Sequence, residues 1–170
     1  AVFLTLIFTI GVGNAWGEEI YRNTGEEGTT NGVTASGYVN ADKGNPEPSF
    51  ANTSSSDIEF ITITGLDVSG YTDVQLTFDY RLAQSWSGYY SSFTVSQYNS
   101  SDVLIGSATN VTGTNTTFRS KTIDIASDCA KIVFYGSPTW SWGTYGNYVD
   151  NISITGTAVA SCVSDPTVGV

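Results

Sequence analysis

Residues 74–82 read Val74-Gln75-Leu76-Thr77-Phe78-Asp79-Tyr80-Arg81-Leu82. Apolar Val74, Leu76, Phe78, Tyr80 and Leu82 alternate with polar Gln75, Thr77, Asp79 and Arg81 without a break. A period of two puts all the large apolar groups on one face of a β-strand, which is then half dry and half wet. A dry face must be covered by a second layer.

Working outward, the same pattern recurs in short runs on both sides. Upstream, residues 57–64 (DIEFITIT) alternate, with Ile58, Phe60 and either Ile61 or Ile63 competing for the inner face. Residues 19–22 and 33–40 read as two further strands, and residues 41–56, with two prolines and many turn formers, as a long loop. Downstream, runs at 93–98, 103–107, 117–125, 131–135 and 148–155 bring the count to about eight or nine. Turns at such regular intervals predict an all-β fold, a two-sheet antiparallel sandwich.

Composition agrees. Ser and Thr number 44, Gly 18 and Asn 11 among 170 residues, whereas the long-helix formers are scarce. Hydrophobic residues make up 40% and aromatics 13%, too many for a disordered acidic chain. A formal charge of −10, with six scattered bases, offers no cationic face for nucleic acid. Without a histidine there is no Ser-His-Asp or Cys-His triad and no His-ligated zinc.

The two ends read differently from the middle. Residues 1–12 (AVFLTLIFTIGV) are apolar and uncharged, too short for a bilayer span, which takes about 20 apolar residues. They match the core of an export signal, with small-x-small sites at Gly13-Asn14-Ala15 and Ala15-Trp16-Gly17. The expected organisation is a signal remnant over 1–17, a sandwich domain over 18–156 and a linker over 157–170. The competing reading makes residues 2–10 a donor strand completing a neighbouring subunit, as in a surface filament.

The run Leu66 to Arg81 (LDVSGYTDVQLTFDYR) resembles a signature of jelly-roll modules in bacterial secreted multidomain proteins. Tyr148 to Thr155 (YVDNISIT) is similar to the closing strand of galactose-binding-like carbohydrate-binding and MAM-type domains. The stretch around Cys162 resembles a junction leading into a following module. The resemblance implies a jelly-roll sandwich on a secreted or cell-surface protein, working in adhesion or glycan binding, or as an accessory domain of a larger secreted enzyme.

Two aromatic segments carry the candidate site. Trp86, Tyr89 and Tyr90 follow the central strand; Trp140, Trp142 and Tyr145 precede the last. Flat rings cover the C–H faces of sugars at little entropic cost, and Gln84, Asn147 and Ser141 offer hydrogen bonds to hydroxyls. The same rings would also serve as caps on the ends of the core. The predicted partner is a glycan or cell-surface polysaccharide, with self-association in a filament as the other possibility.

Calcium is the candidate cofactor, because it takes oxygen ligands only. Jelly-roll first and last strands are neighbours, which would bring Glu18 or Glu19 toward Asp150, and the long loop adds Asn40 and Asp42. The expected metal set is Glu19, Asp42 and Asp150, although no compact acidic loop is present. A glycosidase would need two carboxyls about 5–9.5 Å apart. Glu59, Asp79, Asp124 and Asp150 are the available acids, but they form no closely spaced motif, so no enzyme is expected. Cys129 would pair either with Cys162 or not at all, Cys162 then bonding to a following module.

Overall fold

The computed structural model describes residues 17–25, 33–34, 38–40, 49–52, 58–82, 84–86, 89–113, 117–137 and 146–160. For residues 33–34, 38–40, 84–86, 89–90 and 137 the backbone alone is described. Residues 1–16 of the proposed signal or donor strand, residues 161–170 of the proposed linker, Asp42, Trp140, Ser141, Trp142, Tyr145 and Cys162 lie outside the described residues, while Thr157 and Ala158, expected in the linker, continue the last strand.

The described residues form thirteen strands: β1 (Glu18–Asn23), β2 (Val33–Thr34), β3 (Tyr38–Asn40), β4 (Ser49–Asn52), β5 (Ile58–Thr64), β6 (Tyr71–Leu82), β7 (Gln84–Trp86), β8 (Tyr89–Tyr90), β9 (Ser92–Tyr98), β10 (Leu104–Val111), β11 (Arg119–Asp124), β12 (Lys131–Ser137) and β13 (Asn147–Ala158). No helix occurs among the described residues, so none there is long and apolar enough to cross a membrane. One sheet runs β11-β6-β13-β4-β3 with β1 also on β13; the other runs β10-β9-β12-β5-β2. All pairs are antiparallel. The chain is an all-β, two-sheet antiparallel jelly-roll sandwich.

The alternation of residues 74–82 holds through most of β6. Val74, Leu76, Phe78 and Leu82 are buried, while Gln75 is exposed and Thr77, Asp79 and Arg81 are partly exposed. Tyr80, half-buried, still packs its ring on Phe78 and Phe93. Between the sheets lies an aromatic centre. Phe78 meets Phe134 edge-on at 5.1 Å, and Phe60 meets Phe93 at 5.8 Å and 86°. These rings come from four strands in two sheets, so their contacts hold the sandwich together.

In β5 the competition for the inner face has no loser. The register with β12 skips Phe60, pairing Phe134 with Ile61 and Tyr135 with Glu59. This bulge turns two adjacent residues inward, so Phe60, Ile61 and Ile63 are all fully buried.

Two expectations change. Within the segment read as a loop, Ser49–Asn52 forms β4, and all four residues are fully buried between β3 and β13. Its neighbouring turn formers hid it, because four residues are too few to show a period. The segment 33–40 is not one strand; Val33–Thr34 joins one sheet and Tyr38–Asn40 the other.

Cys129 is a buried free thiol among the described residues, and its proposed partner Cys162 lies outside them. Its Sγ lies 3.5 Å from the Lys131 carbonyl, and burial pushes the thiol pKa up.

Candidate functional site

One end of the sandwich gathers the flanks of both aromatic segments. Leu82, where β6 stops, pairs with Asn147, where β13 begins. Ser137, the last residue of β12, pairs with Ser92, the first of β9. Between Leu82 and Ser92 the backbone forms a small hairpin, with Gln84 opposite Tyr90 and Trp86 opposite Tyr89. The segment 138–145 starts from Ser137 and returns at Gly146.

Hydrogen bonds tie these flanks together. The Ser91 hydroxyl donates to the Gly146 carbonyl at 3.0 Å, joining the residue after Tyr90 to the residue after Tyr145. The Asn147 side-chain amide donates to the Ser92 carbonyl at 2.8 Å. Two segments some fifty residues apart in the chain are therefore rooted side by side.

Asn147 itself departs from its expected role. It is fully buried, and its amide braces the loop roots instead of facing a ligand. Asn147 and Asn52 are register partners that close over Gly136. A Cβ on Gly136 would lie 2.9 Å from Asn147 Nδ2 and 3.1 Å from Phe60 Cδ1, nearer still to Asn52 Nδ2. Only glycine leaves room for this polar plug. Its sequence signal was ambiguous, because Asn beside Gly also marks an exposed turn.

The plug is flanked by groups the sequence did not single out. Tyr135, 41% exposed, stands just before Gly136 and opposite Glu59 and Thr94. It lies in an apolar run, KIVFYGS, that reads as core. Period two nevertheless sends Ile132 and Phe134 inward and Tyr135 outward. On the other sheet, Arg81 stacks over the Tyr148 ring at 4.3 Å and the Phe118 ring at 5.5 Å.

The acidic residues are dispersed or committed. Asp79 and Asp150 are direct cross-strand partners. Asp79 accepts from the Ser120 hydroxyl and, at 3.0 Å, from the Asn151 amide. Asp150 is fully buried and accepts from the Asn151 backbone N–H at 2.8 Å, where Asn151 adopts a left-handed conformation (φ 49°). Asp124 accepts from Gln75, and Glu59 belongs to the opposite sheet. The paired carboxylates Asp79 and Asp150 sit at a bulge of β13, one held by Ser120 and Asn151 and the other fully buried.

The register separates two members of the expected metal set, Glu19 and Asp150, while Asp42 lies outside the described residues. β1 and β13 are indeed neighbours, yet Glu18 faces Gly156 and Glu19 faces Thr155, while Asn23 faces Ile152. At about 3.3 Å per residue, Glu19 sits roughly 16 Å along the strand from Asp150. Among the described residues no three His, Cys, Asp or Glu groups come together as a metal cluster.

The sequence matches no protein-family model and no curated protein. Solved structures do match in fold. The CBM22-1 xylan-binding domain from Paenibacillus barcinonensis Xyn10C aligns with a TM-score of 0.55 and 17% identity, over 85% of this chain and 97% of that one. A family 16 carbohydrate-binding module aligns at 0.56 and 14%, over 80% and 98%. The C-terminal family 22 carbohydrate-binding module of Clostridium thermocellum Xyn10B aligns at 0.57 and 12%, over 82% and 93%. The likeness spans nearly the whole of each of these modules, so this chain shares the jelly-roll architecture of carbohydrate-binding modules.

Proposed function

We propose that the chain is a non-catalytic, exported glycan-binding module. It would contact a saccharide through Trp86, Tyr89 and Tyr90 on one segment and Trp140, Trp142 and Tyr145 on the other. The observation that supports this reading most is the Ser91–Gly146 hydrogen bond, which roots both aromatic segments at one end of the sandwich. Six large rings on two segments rooted side by side suit a ligand with repeated apolar faces. Exposed Tyr135 adds an aromatic ring on β12, the strand that leads into the second segment. Fold likeness to modules described as xylan-binding and carbohydrate-binding points the same way.

The non-catalytic reading rests on the carboxylates. Asp150 is enclosed, Asp79 is held by Ser120 and Asn151, and Glu59 and Asp124 lie in different sheets. None is a solvent-facing pair of the kind hydrolysis requires.

The test is retardation of the purified chain in native gels containing xylan, cellulose derivatives or mannan. A Trp140→Ala/Trp142→Ala double variant is expected to lose at least about tenfold in affinity, since stacked rings contribute roughly 1–3 kcal/mol each. Undiminished binding by a folded double variant would overturn the assignment of the platform.

A further inference from the structure

The opposite end of the sandwich holds a cavity of about 500 Å³ between β1 and the β5–β6 connection. Along β6 the distance from Tyr71 at this end to Leu82 at the other is about 36 Å, at roughly 3.3 Å per residue. The two ends therefore cannot share a short ligand.

Backbone irregularities build the wall of this cavity. A regular strand presents alternate residues to one side, yet Glu19, Ile20 and Tyr21 all line it. The register between β1 and β13 shifts between Glu19 and Tyr21, and this edge bulge turns consecutive side chains to the same side. Facing them, Gly65 adopts φ +73° with no atom within 4 Å of where a Cβ would stand. Beneath, Gly156 lets Tyr71 and Ile20 approach each other, because a Cβ there would lie 3.0 Å from Tyr71 Cβ and 3.1 Å from Ile20 Cδ1.

The chemistry of the lining is one-sided. Tyr21, Tyr71, Ile20 and Leu66 supply apolar faces, and Glu19 and Asp67 supply carboxylates. The Asp67 Oδ1 accepts both the backbone N–H (3.1 Å) and the hydroxyl (2.7 Å) of Ser69, which fixes the carboxylate and holds its pKa below the usual range. Among the described residues no Lys or Arg lines the cavity. Arg22 follows the lining residue Tyr21 on β1, and Lys131 pairs with Thr64 across the sheet but is ion-paired with Asp102 and lies over the Tyr98 ring. Rings for C–H faces and acceptors for hydroxyl protons describe a donor-rich, uncharged polyol. The volume falls within the roughly 300–1,000 Å³ range of small-molecule sites.

The geometry points to a second saccharide site here, taking one or two neutral sugar units through Tyr21, Tyr71, Glu19 and Asp67. It rests on the glycan-binding reading and adds to it. A module with sites at both ends would link two chains or two stretches of one chain.

The test is backbone amide NMR of the full 170-residue chain, titrated separately with xylohexaose, cellohexaose and mannohexaose. At least one sugar is expected to shift Glu19, Tyr21, Leu66, Asp67 and Tyr71 on a saturating curve separate from that of Ser91, Ser92 and Asn147. A Glu19→Gln/Asp67→Asn variant, which keeps shape and removes charge, should weaken the first response about tenfold and leave the second unchanged. Trp140→Ala/Trp142→Ala should do the reverse. Shifts confined to the aromatic end would overturn the second site alone. So would a cavity that answers to calcium chloride and to none of the sugars. If no sugar moves either end, the glycan-binding reading fails and this inference with it.

Discussion

Gly136→Ala is the perturbation whose outcome the structure fixes most tightly. Its backbone is not left-handed, so alanine meets no conformational penalty, and any cost must come from contact. The new methyl would lie 2.9 Å from Asn147 Nδ2, 3.1 Å from Phe60 Cδ1 and closer still to Asn52 Nδ2. Overpacking of this kind costs about 1–3 kcal/mol. Pushing Asn147 off the Ser92 carbonyl, a 2.8 Å bond at a buried site, adds about 1–3 kcal/mol. The expected loss is about 2–6 kcal/mol, a large part of the roughly 5–15 kcal/mol that a domain has in all. In thermal unfolding followed by circular dichroism this is a fall in Tm of roughly 10 °C. Gly70→Ala is the internal control. Its Cβ would enter open space, so it should be neutral or stabilising by about 0.4–1 kcal/mol. Combining Gly136→Ala with Asn52→Ala removes the worst overlap, and the double variant should be less destabilised than the sum of the two singles by at least about 1 kcal/mol. Additive effects, or a Gly136→Ala protein within about 0.5 kcal/mol of the parent, would refute the plug.

Three further outcomes follow from the titratable groups. Asp67 should titrate below its ordinary 3.8 in carboxyl-detected NMR and return toward 3.8 in Ser69→Ala, because the Ser69 hydroxyl and N–H favour the charged form. Since its folded pKa is lowered, its contribution to stability is present above pH 3.8 and fades as pH falls below it. Lys131 sits above its ordinary 10.5, chiefly through its hydrogen bond to Asp102. That raised value makes the pair's contribution complete at neutral pH and lost only as pH climbs past 10.5. Asp102→Asn should remove this alkaline dependence yet cost under about 1 kcal/mol at pH 7, the pair being at the surface with Asp102 73% exposed. In a Cys162→Ser background, Cys129 should resist an aromatic disulfide reagent at pH 8 and react only at the rate of unfolding, because burial keeps it a protonated, enclosed thiol. Complete labelling of the native protein within minutes would contradict that burial.

Much of the fold was legible in local pattern. Nine alternating residues at 74–82 announced β6, and residues 148–155 marked the closing strand that pairs with it. Other assignments failed where the pattern was short or broken. β4 has four residues, too few for a period, yet it fills the sheet between β3 and β13. In β5, a bulge let both competing sets of isoleucines and Phe60 face inward, which alternation alone forbids. Tyr135 was read only as part of a strand run, and its exposure emerges from the pairing of β12 with β5 and β9.

The candidate site divides along the same line. Aromatic composition and position relative to the strands picked out segments 86–90 and 138–148, and the absence of histidine with a charge of −10 excluded whole classes of chemistry. These are properties of residue identity, which the chain carries whether folded or not. That Ser91 and Gly146 are bonded, that Asn147 is a buried strut, and that Glu19 faces Thr155 some five residues from Asp150 are properties of register. Register is a relation between distant strands, set by bulges and by which side chains fit the core. Only the folded sandwich decides it.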